Sequence, residues 1–133
     1  METRYPDLKT RVQSTFIDVA LMLGLMFLTA TILERITPSQ EEEDGWVRAL
    51  IFILIWGTYE PVATVMGSTL GNYLMKIRVR KHKDINKKIN LLQAYIRFVF
   101  KFLLGWVSFI TINGNKERRA IHDFAAGSVM IVK

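Results

Sequence analysis

One acidic side chain inside an apolar run constrains this chain more than any other feature. Asp18 is the only charged residue in Val12–Leu33, a run of 22 residues. As a helix the run would measure about 33 Å, which fits the roughly 30 Å hydrocarbon core of a bilayer. A carboxylate at that depth costs about 2.5–3.5 kcal/mol and needs a partner or a water-filled cavity. The run therefore predicts an integral membrane protein with a buried polar site.

The rest of the composition favours one small membrane domain. Half of the 133 residues are apolar although the formal net charge is +6, because long apolar stretches alternate with short charged ones. The first apolar run is too long, and too polar in its middle, for a cleaved signal peptide, so we interpret it as a retained helix. The chain has no cysteine, which excludes disulfides and cysteine-based chemistry.

The predicted fold class is an all-α membrane protein, a bundle of about three transmembrane or partly re-entrant helices. The predicted segments are helix 1 at about 12–33, helix 2 at about 46–66, a basic loop at 76–90, helix 3 at about 91–112 and a C-terminal segment at 113–133.

Basic residues predict which helix ends face the cytoplasm. The stretch 76–90 carries seven basic residues and one acid, so the positive-inside rule places it in the cytoplasm. The N-terminus is then cytoplasmic too, and the acidic stretch 34–48 lies outside.

The path of the third apolar segment is open. If it spans the membrane, the basic tail residues Lys116, Arg118 and Arg119 lie outside, against the charge rule. If it re-enters, they stay inside. The length of the apolar run favours a tilted span.

The partner of Asp18 is the next question. Arg11 lies seven residues away on the same helix face, about 10 Å along the axis, which is too far for contact. Arg97 and Lys101 share a face of the third segment. The simplest pairing puts Asp18 against Arg97 or Lys101. Such a pair is either a structural intramembrane ion pair or a proton or cation site, because burial and a nearby cation shift a carboxylate pKa in opposite directions.

Glu60 lies beside Pro61, near the predicted cytoplasmic end of helix 2. Proline predicts a kink or an end of the helix there. A helix broken at membrane depth exposes backbone carbonyls that can bind an ion. The alternative, which we favour, places Glu60 in water at the interface.

The basic loop predicts a surface for lipids. Cations beside a membrane attract anionic headgroups, at about 1 kcal/mol per charge. The candidate lipid-binding residues are Arg78, Arg80, Lys81, Lys83, Lys87 and Lys88. Nucleic acid is a poor alternative, because the cluster follows a membrane helix and no reading motif accompanies it.

The pair His122–Asp123 does not predict catalysis. His82 is the only other histidine, which is too few ligands for a metal-dependent hydrolase, and no nucleophile motif or phosphate-binding loop is present. We therefore expect no enzyme activity, no metal and no cofactor. Asp123 is expected either to cap a short helix that begins at Phe124 or to form a salt bridge. The candidate cations are Arg11, Arg118 and Arg119.

Several motifs, in order along nearly the whole chain, resemble the RDD family of bacterial membrane proteins. An Arg opens the first helix and an Asp lies within it, as in Arg11-Val-Gln-Ser-Thr-Phe-Ile-Asp18. Small residues and glycines then lead into a basic extended stretch, here Gly67–Val79. An Arg follows in the next helix, for which Arg97 is the candidate. The C-terminal motif is His122–Asp123 followed by Phe-Ala-Ala-Gly-Ser-Val-Met-Ile-Val.

The chain departs from the family pattern at two points. Asn72 stands where a Lys is common after the glycine, and no glycine marks the turn near Asp84. These departures concern the details of the inner loop.

The resemblance implies a bacterial inner-membrane protein with a suggested role in transport, including cation/proton exchange for some members. It also implies that Arg11, Asp18 and Asp123 act together. If the third segment returns the tail to the inner face, Asp123 can reach Arg11 and close a network with Asp18 and Arg97.

Two functions follow as hypotheses. The first is transport of a small cation or other small ligand, coupled to protons through Asp18, with Glu60 and a cation from the third segment nearby. Three helices are too few to enclose a pathway, so this version requires a homo-oligomer, for which a dimer is the commonest form. The second is a non-transporting module that organises a partner protein or anionic lipid, in which the charged residues serve packing.

Overall fold

Two long helices and a set of shorter elements make up the protein. The structure, a computed structural model, describes residues 3–36 and 43–133; the predicted acidic outer loop lies partly in 37–42, outside them. In chain order the elements are α1 Leu8–Ile36, α2 Glu43–Met66, α3 Leu70–Leu74, β1 Ile77–Lys81, α4 Leu91–Leu104, a 3₁₀ helix Gly105–Gly114, α5 Ile121–Ala126 and β2 Ser128–Val132. The prediction of a helical membrane fold is confirmed.

The helices α1 and α2 are both long and apolar enough to cross a membrane, and most of their large apolar side chains are exposed. α1 begins before the predicted residue 12, because the Asp7 carboxylate accepts a hydrogen bond from the backbone N–H of Thr10 at 3.0 Å and stabilises the first turn. α2 passes through Pro61 and continues to Met66, so the proline does not end it.

Two short strands, which the all-helical prediction did not include, join the basic stretch to the C-terminal segment. β1 and β2 are antiparallel, with Ile77 opposite Val132. Ile77 and Val79 are buried while the arginines between and after them are half-buried, which is the two-residue alternation of a strand. The buried face packs against Ala94 near the start of α4.

The third apolar segment turns back at Gly105. The backbone there has a φ of 51°, a conformation that favours glycine, and it ends α4. Arg97, in the first half of α4, contacts Asp123. Beyond the turn, Phe109 packs edge-on against His122, with ring centroids 5.6 Å apart. The two halves of the segment therefore reach neighbouring residues of α5.

The third apolar segment folds back on itself. α4 has 14 residues, about 21 Å of helix, which is less than the roughly 30 Å of a hydrocarbon core. Near the end of the 3₁₀ helix, Ile112 forms a buried cluster with Ala120, and Leu8 of the first turn of α1 packs against it. The segment thus returns to the end of the molecule where α1 begins. By length and composition alone, Leu91–Gly114 is also a candidate span, so the tilted span stays a prediction.

The basic segments all lie at this end of the molecule, which we call the positive end. It holds the start of α1, the stretch 76–90 and the tail from residue 115, because β1 pairs with β2 and α5 contacts α1. Because the third apolar segment folds back, the basic tail lies at the same end as the other basic segments.

Candidate functional site

Four buried side chains, Arg11, Arg97, His122 and Asp123, form what we call the Asp123 cluster at the positive end. Arg11 Nη2 donates to one carboxylate oxygen of Asp123 at 2.5 Å, and Arg97 Nη1 donates to the other. His122 Nε2 lies 3.4 Å from Arg11 Nη2. The contact between Arg11 and Asp123 that the resemblance implied is present, and it links the first helix to the C-terminal segment.

The short helix α5 holds Asp123 in position. It begins at Ile121, before the start at Phe124 that the capping alternative assumed. Asp123 lies in its first turn and accepts a hydrogen bond from the backbone N–H of Ala120 at 3.0 Å. The N-cap of α5 is Ala120, so the predicted capping of a helix at Phe124 by Asp123 is wrong, whereas the alternative ion pair with Arg11 is present.

The charges in the cluster control the protonation of two groups. Burial favours the neutral acid, yet the guanidinium groups of Arg11 and Arg97 outweigh burial and hold the pKa of Asp123 far below its usual range. Burial lowers the pKa of His122 well below 6.5, and the two arginines lower it further against the opposing effect of Asp123. At neutral pH the cluster contains an ionised carboxylate and a neutral imidazole beside two guanidinium groups.

Asp18 lies about 15 Å along α1 from its start and is held by neutral groups. Thr69 Oγ1 donates to its carboxylate at 2.6 Å, and the backbone N–H of Gly71 donates at 2.8 Å. The side chain is buried, and it makes no ion pair with any residue that the structure describes. A carboxylate at membrane depth thus has hydrogen bonds but no cation in contact.

The turn between α2 and α3 fits closely against α1. A Cβ atom at Gly71 would collide with the backbone oxygen of Ser14 and lie 2.9 Å from the Asp18 carboxylate. Ser14 Oγ donates to Asn72 Oδ1 at 2.6 Å, so the residue that departs from the family pattern packs this joint. Sequence reasoning missed Thr69 and its neighbours as partners of Asp18. The small residues Gly67, Ser68, Thr69 and Gly71 were the sequence signal for this close contact.

The expected pairing of Asp18 with Arg97 or Lys101 is wrong. Arg97 binds Asp123, and Lys101 Nζ donates to Glu60 Oε1 at 2.7 Å. Glu60, for which a position in water at the interface was favoured, is ion-paired, and its side chain is 24 % exposed. The fold of the third apolar segment explains why these ion pairs differ from the expected ones. It brings the C-terminal segment to Arg97, and it leaves Lys101 one turn further along α4, against α2.

An open cavity of about 380 Å³ adjoins Asp18. Asp18, Glu60 and Lys101 are its charged lining residues. The remaining walls are mostly apolar and include Met22, Trp56, Phe98, Phe102, Trp106 and Phe109. An apolar cavity with a few convergent polar groups is the usual form of a small-ligand site. This cavity is therefore the candidate site.

The predicted lipid-binding residues lie on β1 and the loop after it, and none lines this cavity. Two already have protein partners: Lys88 Nζ donates to the backbone oxygen of Met66 at 2.6 Å, and Lys87 pairs with Asp84 at 3.2 Å. Among the described residues, no group of three or more His, Cys, Asp or Glu side chains is placed to hold a metal ion.

Comparison with known protein families identifies this chain with one of them. The model of the RDD family matches residues 5–127, which include both arginines and both acids discussed above. No curated protein and no solved structure matches the chain.

Proposed function

The chain belongs to the RDD family, and from this premise we propose that this membrane protein transports a small cation, or another small ligand, in exchange for protons. Asp18 is the proposed coupling carboxylate. The observation that carries the proposal is the combination at Asp18 of membrane depth, neutral hydrogen-bond donors and an adjoining cavity.

The charge balance favours a cation or a proton at Asp18. An ionised carboxylate at membrane depth is unstable relative to its neutral or cation-bound form, because lipid does not solvate the charge. Either a proton or a bound cation removes that charge, so the two compete for one site. Competition for one carboxylate gives exchange when the site opens alternately to the two sides of the membrane.

Glu60 and Lys101 complete the proposed site. Their ion pair lines the same cavity as Asp18 and is neutral as a unit, so it leaves the charge of Asp18 unbalanced. Glu60 adds a second carboxylate that an entering cation can meet.

The proposed location is a bacterial inner membrane, with the positive end in the cytoplasm. All of the strongly basic segments share that end, and the positive-inside rule assigns it to the cytoplasm. α1 and α2 then cross the membrane, and the re-entrant segment enters from the cytoplasmic side.

A homo-oligomer would close the cavity, which is open on one side. Past the cavity, α1 and α2 expose large apolar side chains, among them Phe27 at 74 % and Leu50 at 58 %. Because the chain has no native cysteine, Phe27→Cys in lipid tests this directly. Disulfide-linked dimers would support the assembly, and a strictly monomeric protein in lipid would contradict it.

The transport test uses liposomes that enclose a pH-sensitive dye. External Na⁺, Li⁺ or K⁺ should produce a pH change with the wild type and none with Asp18→Asn. The matched control is Asp84→Asn, which removes an acid from the exposed loop and should leave the pH change intact. Absence of any pH change with folded, inserted wild type would reject the transport proposal.

A second candidate is a non-transporting membrane module. The contacts of Asp18 with Thr69 and Gly71 favour it, because they join α1 to the α2–α3 turn and are sufficient to give Asp18 a packing role. In this case Asp18→Asn weakens folding or assembly, and no flux depends on it.

A further inference from the structure

A second cleft lies at the positive end, apart from the Asp18 cavity. It measures about 640 Å³ and is open. Three cations line it, Arg4, Lys116 and Arg118, against one acid, Asp7. Three positive charges and one negative charge leave a formal charge of +2.

The single acid does not neutralise these cations. Hydrogen bonds from the Thr10 side chain and from the Thr10 backbone N–H, with a smaller contribution from Arg118, lower the pKa of Asp7, so it stays ionised and balances one of the three positive charges. Arg118 makes one long hydrogen bond, 3.4 Å, to the backbone oxygen of Tyr5. Within the described part of the chain, the side chains of Arg4 and Lys116 have neither a hydrogen bond nor an ion pair, and all three cations are exposed.

The depth of the cleft matches a headgroup layer. Arg4 and Asp7 come within eight residues of Val12, where the apolar run begins. Headgroup layers occupy about 5–8 Å on each side of the hydrocarbon core. The cleft also has apolar wall residues, including Ile77 and Val132, beside its charges. Cations over an apolar wall at this level suit an amphipathic anion.

We propose that this cleft binds the phosphate headgroup of an anionic phospholipid. Arg4, Lys116 and Arg118 come from two distant parts of the chain, so the site forms only when the tail folds back to α1. Basic pockets beside membrane helices on the cytoplasmic side are a known form of headgroup site. The proposal is independent of transport through Asp18.

The test compares two double variants that each remove two exposed positive charges from the same end. Arg4→Gln with Lys116→Gln removes charges from the cleft. Lys9→Gln with Lys76→Gln removes charges outside it. Each protein is purified in a zwitterionic detergent and titrated with phosphatidylglycerol or phosphatidylcholine of the same chain length, and bound lipids are counted by native mass spectrometry. An unchanged melting temperature without added lipid establishes that each variant is folded.

We expect the wild type to bind phosphatidylglycerol in preference to phosphatidylcholine. The cleft variant should bind phosphatidylglycerol at least about tenfold more weakly than the wild type does. The control variant should keep affinity close to wild type, and added salt should weaken binding to the wild type. An equal loss in both variants would show diffuse attraction to the basic end and overturn the proposal. Unchanged binding in the cleft variant, or no preference for phosphatidylglycerol, would overturn it as well.

Discussion

Asp18 and Asp123 are both buried carboxylates, but different groups surround them. Asp123 lies between two arginines, and its oxygens are occupied by guanidinium and backbone N–H groups. Asp18 is bound by a hydroxyl and one backbone N–H, beside a cavity. Removing one member of a buried ion pair leaves an uncompensated charge, whereas removing an unpaired charge does not. Asp123 therefore has a structural role, and Asp18 is the candidate for a chemical one.

The largest expected effect tests the structural half of this comparison. Asp123→Ala leaves Arg11 and Arg97 buried without an anion, which should lower the free energy of unfolding by about 3–5 kcal/mol. Chemical unfolding in detergent, followed by tryptophan fluorescence, measures it. Asp84→Ala, at an exposed loop pair, is the control and should unfold like wild type. A small loss for Asp123→Ala would remove the distinction between the two acids.

The next effect tests how closely the Asp18 site is packed. Gly71→Ala places a methyl group against the backbone of Ser14, so the α2–α3 turn must shift, at a cost of about 1–3 kcal/mol. Gly24→Ala is the matched control on α1, because no atom lies within 4 Å of its added Cβ. Equal stability of the two variants in the same unfolding assay would show that α1 and the turn are not in close contact.

Acid should weaken the Asp123 cluster through His122. The pKa of His122 is lower in the folded protein than its ordinary 6.5, so the unfolded chain binds the proton more readily. Stability is therefore complete above pH 6.5 and falls below it, by up to about 1.4 kcal/mol per pH unit. Unfolding between pH 7.5 and 5 measures this slope. His122→Gln should flatten it, and His82→Gln, at the other histidine, should not. A slope that survives His122→Gln would place the titrating group elsewhere.

The smallest expected change in stability is that of Asp18→Asn, which tests the role of the second buried carboxylate. In Asp18→Asn the amide oxygen still accepts from Gly71, the hydroxyl of Thr69 loses its charged acceptor, and a charge at membrane depth disappears. These effects oppose each other, so the net change should be below about 1 kcal/mol. A loss as large as that of Asp123→Ala would assign Asp18 to packing and favour the non-transporting module.

The sequence was sufficient for the membrane class and for most of the residues that matter. Hydropathy and charge are properties of short stretches, so the apolar runs, the depth of Asp18 and the basic end could be read locally. The strands were less visible, because a five-residue alternation such as that of β1 is short beside the long apolar helices.

Only the tertiary structure decided which charges meet. Arg11 and Asp123 are 112 residues apart, and their contact depends on where the third apolar segment turns. The turn at Gly105 folds this segment back on itself, which sends Arg97 to Asp123 and Lys101 to Glu60. Asp18 is left with neutral partners as a result. The pairing of buried charges follows from long-range chain geometry, which the spacing of residues within one helix does not contain.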